Sequence, residues 1–147
     1  MQIRIRRIKS QDFERLIELF HEFAEFEKLP ENMINTVDKM NAEKAYLHGF
    51  VALNTLNEIV GYVTFFYGYY TWFGKSLYMD DLYIQPEFRG KGIGTKLLNK
   101  VIAHARKSKC HKLRWQVSQW NKQAIAFYQS YGCTIDAIEQ NCDLILN

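Results

Sequence analysis

The chain has 147 residues, of which 48% are apolar and 24% charged, and this predicts one globular domain spanning residues 1–147. Its apolar residues occur in short runs, far below the roughly 20 needed to cross a bilayer, which excludes a membrane-spanning protein. The three cysteines lack Cys-x-x-Cys spacing and the N-terminus lacks an apolar signal segment, so a cytoplasmic protein with neither a disulfide framework nor a metal site is expected.

Basic residues are concentrated in one part of the chain. The formal net charge is +3, yet residues 88–135 contain ten Lys and Arg and no Asp or Glu, whereas residues 1–87 contain nine basic and thirteen acidic residues. This separation predicts that the basic stretch binds a polyanion and that the acidic half receives a cation. A solvated basic helix face is the alternative interpretation.

The first third of the chain predicts a strand and two helices. Isoleucine and arginine alternate over residues 2–8, which is typical of a half-buried strand. Ser10 is expected to cap a helix whose apolar residues recur at spacings of three and four and which ends before Pro30. A second helix is expected from Thr36 to Leu47, closed by Gly49.

The middle of the chain predicts strands. A short apolar strand is expected at Phe50–Leu53, followed by a turn over Asn54–Asn57. Two runs rich in Val, Thr, Phe and Tyr, at Ile59–Tyr70 and Ser76–Ile84, predict a long antiparallel pair that Pro86 ends.

The last third predicts a strong helix and several short elements. From Ile93 onward one face is apolar and the opposite face carries lysines, which is the clearest helix signal in the chain. The remaining predicted elements are a strand at Leu113–Val117, a helix at Gln123–Tyr131 stopped by Gly132, and a final strand pair at Thr134–Ile138 and Asp143–Leu146. Together these elements predict a mixed α/β single domain.

A glycine-rich segment lies between the last long predicted strand and the strongest helix. It reads Arg89-Gly90-Lys91-Gly92-Ile93-Gly94. Glycines let the backbone approach a ligand closely, and free N–H groups at a helix start favour a phosphate. The spacing fits neither a Walker A loop nor a convincing dinucleotide fingerprint. A turn that merely reverses the chain is the alternative.

Cys133, the four histidines and the basic stretch Lys96–Arg114 each have a simpler interpretation than a functional one. Cys133 could be a nucleophile, but no histidine partner is identifiable, which favours a small buried thiol. The four histidines lack metal-ligand spacing. The basic stretch Lys96–Arg114 could bind nucleic acid, yet the aromatic residues fit a core and an acceptor or dimer surface better than base stacking.

Two motifs in the right order resemble the GNAT superfamily of acetyl-CoA-dependent N-acetyltransferases. The phosphate-loop pattern Arg/Gln-x-x-Gly-x-Gly/Ala matches Arg89 to Gly94, and the later pattern Asn-x-x-Ala-x-x-Phe-Tyr-x-x-x-Gly matches Asn121 to Gly132. The resemblance implies a single GNAT-type domain with a central, mostly antiparallel twisted sheet, splayed at strand four and flanked by about four helices.

The stretch Trp72 to Tyr83 and the pair Trp120-Asn121 are similar to the diamine (spermidine/spermine-type) acetyltransferase branch. Polyamine enzymes carry an acidic residue just before Trp-x-Gly-Lys, and here Tyr70 takes its place. The resemblance therefore implies a small cationic acceptor with a primary amine, which could be a polyamine, a diamine or a lysine analogue.

Reaction of an amine acceptor is helped by a base or by a site that lowers the pKa of the amine. An alkyl ammonium of pKa about 10.4 is deprotonated in only about one molecule in 2,500 at pH 7, a cost of about 4.6 kcal/mol. Asp80 and Asp81 lie in the second long predicted strand, and because neighbouring strand residues face opposite sides, only one is expected to point into a given site. The resemblance places Asp80 at the family's substrate-side carboxylate, acting through water. A salt bridge at the strand end is the alternative.

The resemblance also implies roles for other residues. Tyr128 is the expected general acid for the departing CoA thiolate, with buried aromatic packing as the alternative. Backbone N–H near Leu82 would meet the oxyanion if the strand bulges there. Trp72, Asp80, Asp81 and Trp120 are the expected acceptor-binding residues. The expected acetyl-CoA contacts are Leu82, Tyr83, Ile84, Arg89, Gly90, Lys91, Gly92, Ile93, Gly94, Thr95, Asn121 and Tyr128.

The resemblance further implies a homodimer, with the aromatic run Phe65–Phe73 as a candidate interface. No metal, nucleic acid or membrane is expected to take part. Two alternatives stay open within the same fold, a protein or peptide N-acetyltransferase and a non-catalytic CoA-binding module.

Overall fold

The computed structural model describes residues 2–146, which form five strands and four α-helices. A first compact unit ends at Trp115 and a second begins at Gln116. The strands are β1 (Arg4–Arg7), β2 (His48–Leu53), β3 (Ile59–Tyr70), β4 (Gly74–Ile84) and β5 (Leu113–Arg114). The helices are α1 (Phe13–Phe26), α2 (Val37–Ala42), α3 (Ile93–Lys107) and α4 (Lys122–Gln129). Within residues 2–146, none of the helices combines the length and the apolarity that crossing a membrane requires.

The five strands form one mixed sheet in the order β1-β2-β3-β4-β5. The pairs from β1 to β4 are antiparallel, and β4 pairs with β5 in parallel. The predicted mixed, mostly antiparallel sheet is therefore confirmed. Helix α1 packs its apolar stripe on one side of the sheet, where Leu16, Leu19, Val51 and Tyr62 are fully buried.

The start of α1 differs from the prediction. Ser10 opens a short 3-10 turn (Ser10–Asp12), and the α-helix begins only at Phe13. The Asp12 carboxylate explains the tight turn, because it accepts the Lys9 backbone N–H at 2.8 Å and two bonds from Arg6 at 2.8 and 2.9 Å. This buried carboxylate replaces the expected Ser10 cap.

Helix α2 begins as predicted and ends early. The Thr36 hydroxyl accepts the Lys39 N–H at 3.1 Å and caps the helix, which stops at Ala42 and is followed by a 3-10 turn over Lys44–Tyr46. The expected single helix to Leu47 is wrong in its second half. Gly49 is not a helix stop but a residue of strand β2. A glycine is required there because a Cβ would lie 2.1 Å from the Val63 carbonyl oxygen.

The β3–β4 hairpin carries an irregularity that matters for the site. Strand β3 has the predicted bounds, and β4 starts two residues earlier than expected, at Gly74. Thr64 pairs with Asp81 and Phe65 pairs with Met79, so Asp80 is an extra residue in β4. This β-bulge kinks the strand and interrupts its side-chain alternation.

Beyond the bulge, β4 has a partner on only one side among the described strands. Its parallel pairing with β5 covers Leu77 and Tyr78 and goes no further. Strand β5 spans Leu113–Arg114, which is shorter than the predicted Leu113–Val117. The expected splay at strand four is thus present. Helix α3, with the predicted start at Ile93, packs against β2, β3 and β4.

The second unit contains α4 and an irregular C-terminal segment. Helix α4 runs one residue earlier than predicted at its start and two earlier at its end, and Gly132 follows it at φ 80°. The predicted strands Thr134–Ile138 and Asp143–Leu146 are wrong, because no strand forms in the described residues 116–146. The Asp136 carboxylate accepts the Ile138 N–H at 2.8 Å and turns the chain inside the first of them.

Candidate active site

A cavity of about 400 Å³ lies in the first unit between α1, residues 29–35 and the bulged part of the β3–β4 pair. Its walls include the rings of Phe20, Phe23 and Phe66. Three carboxylates line it, those of Glu27, Asp80 and Asp81, and no lysine, arginine or histidine is among the described residues around it. The cavity therefore combines aromatic surface with negative charge, which suits an organic cation.

The bulge brings both neighbouring aspartates to this cavity. Asp80 is exposed and Asp81 is half-buried, and both line the cavity. The expectation that only one of them faces a given site is wrong, because the strict alternation of a regular strand does not hold across the extra residue Asp80.

Asp81 is held by two contacts from β3. The Tyr62 hydroxyl donates to Asp81 Oδ2 at 3.1 Å, and the Asp81 N–H donates to Thr64 Oγ1 at 3.3 Å. Burial raises the pKa of Asp81 to about 7, with further increases from the charges of Asp80 and Glu27, while the Tyr62 hydrogen bond opposes them. The surrounding protein also removes part of the water around the Asp80 carboxylate, which raises the pKa of Asp80 although the residue is exposed. Near neutral pH the Asp81 carboxyl is therefore partly protonated, and a bound cation would favour its ionised form.

Glu27 lines the cavity and was not predicted from the sequence. Phe20, Phe23, Ala24 and Glu27 all line the cavity, at helical positions i, i+3, i+4 and i+7 along α1 and just beyond its end. An acidic residue that continues an apolar stripe is the sequence signal that could have identified it.

The glycine loop is open to a ligand. Gly90 and Gly92 have φ values of 76° and 80°, and Gly92 is the N-cap of α3. A Cβ added at Gly90, Gly92 or Gly94 would meet no atom within 4 Å, so the space over the loop is empty of protein. The first N–H groups of α3 have no acceptor within the helix, and they are suited to phosphate oxygens. Lys91 and Thr95 are exposed beside them, and Ile93 is buried under the loop.

Arg89 is turned back toward the protein. Its Nε donates to the Ile84 carbonyl at 2.8 Å, and its guanidinium lies 4.7 Å from the Phe26 ring centre and 5.4 Å from that of Tyr83. The side chain thus connects the loop to β4 and α1. A phosphate contact by this side chain stays a prediction.

The last residues of β4 present a backbone edge. Leu82, Tyr83 and Ile84 pair with β3 on one side, and no described strand covers the other side. The Tyr83 side chain is anchored elsewhere, since its hydroxyl donates to Glu22 at 3.1 Å. Burial and that carboxylate raise the pKa of Tyr83 to about 12. The edge can therefore offer backbone groups to an extended ligand without moving the Tyr83 ring.

The remaining predicted site residues occupy separate places. In the second unit, Asn121 caps α4 by accepting the Ala124 N–H at 3.1 Å, Tyr128 is buried, and Trp120 is 45% exposed. Trp72 lies in the turn between β3 and β4, is 88% exposed, and is not part of the cavity wall. Among residues 2–146, no three His, Cys, Asp or Glu side chains are arranged to hold a metal ion.

The sheet is mixed and splayed at its fourth strand, and a glycine loop follows it at the start of a helix. This arrangement is typical of acyltransferases. The model of the acetyltransferase (GNAT) family matches residues 13–133, and the chain belongs to that family. The resemblance noted from the motifs is confirmed, and the protein is an acetyltransferase. Members of this family use acetyl-CoA as co-substrate.

The chain is similar to named relatives. It is 42% identical over 119 residues to a thialysine N-epsilon-acetyltransferase of Caenorhabditis elegans, covering 80% of this chain and 74% of that protein. It is 35% identical over 141 residues to the Bos taurus protein of the same name, covering 88% and 83%. A solved aminoglycoside acetyltransferase from a soil metagenomic sample, in complex with sisomicin, shares the fold with a TM-score of 0.80 at 20% identity over 99% of this chain and 97% of that chain.

Proposed function

We propose that the protein transfers an acetyl group from acetyl-CoA to a primary amine of a small cationic acceptor, by direct attack of the amine in a ternary complex. The observation that carries this proposal is the cavity whose wall holds Glu27, Asp80 and Asp81 and no basic side chain among the described residues. A protonated amine is attracted to such a wall, and a neutral or anionic acceptor is not.

The acceptor class follows from the size and charge of the cavity. A volume of about 400 Å³ suits a lysine-like amino acid, a diamine or a short polyamine rather than a folded protein surface. The relatives named as thialysine N-epsilon-acetyltransferases favour the lysine-like member of this group. A protein or peptide N-terminus is the competing acceptor.

The loop at the start of α3 fits the co-substrate. Acetyl-CoA supplies the activated acetyl thioester and carries phosphates. The open space over Gly90, Gly92 and Gly94 and the N–H groups at the α3 start would hold those phosphates, and the uncovered edge of β4 would pair with the pantetheine amides. The residues proposed for these contacts are Leu82, Tyr83, Ile84, Arg89, Gly90, Lys91, Gly92, Ile93, Gly94, Thr95, Asn121 and Tyr128.

Two groups of residues would handle protons. The carboxylates of Asp80 and Asp81 would hold the acceptor's ammonium and accept its proton, directly or through water, to give the free amine. Tyr128 would donate its hydroxyl proton to the departing thiolate sulfur. The role of the aspartates rests on the family resemblance together with their raised pKa values. The role of Tyr128 rests on the family resemblance.

The exposed aromatic residues of the β3–β4 hairpin support a proposed homodimer of the single domain 1–147. Trp72 at the tip is 88% exposed and Tyr69 is 79% exposed, and Phe66 and Phe73 are nearly half exposed. Several exposed aromatic residues on one hairpin are typical of a surface that binds another protein or a ligand. Trp72 and Trp120 are proposed to contact the acceptor, Trp72 from a second copy of the chain.

A thiol-release assay tests the proposal. Purified protein and acetyl-CoA are mixed with thialysine, lysine, ornithine, putrescine, spermidine or a peptide N-terminus, and the acetylated product is identified by mass spectrometry. At least one small amine should turn over, and Tyr128→Phe should lose about a hundredfold in kcat. Turnover of the peptide only would overturn the acceptor assignment, and CoA binding without turnover of any amine would overturn the catalytic proposal.

A further inference from the structure

The buried hydroxyl of Tyr62 contacts a carboxylate of the acceptor cavity from beneath. Tyr62 lies in β3 and has no solvent exposure. Its ring packs between Phe20 of α1, at a centroid distance of 5.1 Å, and Tyr83 of β4, at 6.2 Å. The hydroxyl therefore has little freedom, and it donates to Asp81 Oδ2 at 3.1 Å.

A phenylalanine would fill this position in the core as well as a tyrosine does, so packing alone does not explain the hydroxyl. Burying a hydroxyl without a partner is unfavourable, and Asp81 Oδ2 is the acceptor that the structure gives it. The bond occupies Oδ2 of Asp81 and does not involve the other carboxylate oxygen, Oδ1. Thr64 fixes the same residue through its backbone N–H.

We propose that Tyr62 is a positioning residue for the acceptor amine, in which its buried hydroxyl holds one carboxylate oxygen of Asp81 and leaves the other for the acceptor's ammonium. This rests on the proposed amine acetylation. Asp80, which no described side chain holds in this way, would follow the acceptor more freely.

Three neighbouring groups, from three different elements, affect the protonation of Asp81. Asp80 from β4 and Glu27 from the end of α1 both raise the pKa of Asp81, and Tyr62 from β3 lowers it by donating to the charged form. Burial, together with the Asp81 carboxylate, raises the pKa of Tyr62 well above the ordinary value, so the phenol stays a donor. Loss of the hydroxyl should therefore raise the pH at which Asp81 ionises and shift the acidic limb of kcat/KM upward.

Tyr62→Phe tests the proposal because it removes the hydroxyl and keeps the packed ring. The KM for the amine should rise about five- to twentyfold while the KM for acetyl-CoA changes less than about twofold. The acidic midpoint of kcat/KM should rise by about half to one pH unit. In an Asp81→Asn background, Tyr62→Phe should have no further effect on that midpoint.

A matched control is Tyr67→Phe, which removes another hydroxyl from β3, one that lies 2.6 Å from His104 Nε2 and outside the cavity wall. It should keep the parent's pH midpoint. An NMR titration of ¹³C-labelled aspartate carboxyls separates this proposal from the proposed function, since it needs no turnover. Folded Tyr62→Phe with an unchanged Asp81 midpoint overturns the role of Tyr62, and so does an unchanged amine KM. Failure of all amines to react, with a raised Asp81 midpoint, overturns only the reaction.

Discussion

We expect Asp81 to lower the free energy of unfolding at neutral pH, and Asp81→Asn to raise it again. The folded chain holds the pKa of Asp81 at about 7, against an ordinary value of 3.8. This difference corresponds to at most about 4 kcal/mol of free energy of unfolding. Because Asp80 contributes part of the rise and water can enter the cavity, we expect a gain of about 1 to 3 kcal/mol for the asparagine variant at pH 8.

The pH dependence of this gain has a defined sign. Between about pH 4 and pH 7 the unfolded chain releases the Asp81 proton while the folded chain keeps it, so the parent loses stability as the pH rises. Asn has no such proton, so the stability gap between variant and parent should widen up to about pH 7 and then stay level. The asparagine carbonyl still accepts the Tyr62 hydroxyl, which keeps the local packing.

Urea unfolding of parent and Asp81→Asn at half-unit steps from pH 4.5 to 8.5 measures the gap. Asp143→Asn, at an exposed carboxyl of the second unit, is the matched control and should show no widening gap. A gap that stays constant over the whole range, or that narrows as the pH rises, would refute the electrostatic reasoning about this cavity.

Three further changes have defined outcomes. Glu27→Gln removes one cavity charge and should raise the amine KM about tenfold with acetyl-CoA KM unchanged, whereas Glu25→Gln should change neither in steady-state kinetics. Gly92→Val forces a β-branched residue to φ 80° and should cost about 1–2 kcal/mol and raise the acetyl-CoA KM, with Gly92→Ala milder in both. Burial raises the pKa of Asp12, but Arg6 and a backbone N–H outweigh it and hold the value below normal. Asp12→Asn should therefore lose about 1–3 kcal/mol at pH 7 in urea unfolding and less as the pH falls below about 4.

The long elements could be predicted because their signals are local. Strand β3 and the start of α3 follow from β-branched and aromatic runs and from a helical apolar stripe, and both were predicted to the residue. The glycine loop was located in the same way, since its open backbone depends on glycines that the sequence displays.

The C-terminal strands and the details of the cavity could not be predicted from local pattern. Residues 134–146 alternate like strands, yet a strand also needs a neighbour, and the Asp136 side chain bends the chain instead. The facing of Asp80 and Asp81 depends on a one-residue mismatch between two strands, which appears only when they are paired. The hydrogen bond from Tyr62 depends on the same pairing.

Because of the bulge, one acidic residue could be deleted without changing the strand pairing on either side of it. Met79 and Asp81 pair with adjacent residues of β3, so deleting Asp80 would leave two regular ladders joined in register. The strand end at Leu82–Ile84 and the loop before α3 would keep their alignment with β3. A single-codon deletion could therefore remove one of the two carboxylates proposed to hold the acceptor while leaving the glycine loop in place, so this wall of the cavity could change between related chains without rebuilding the sheet.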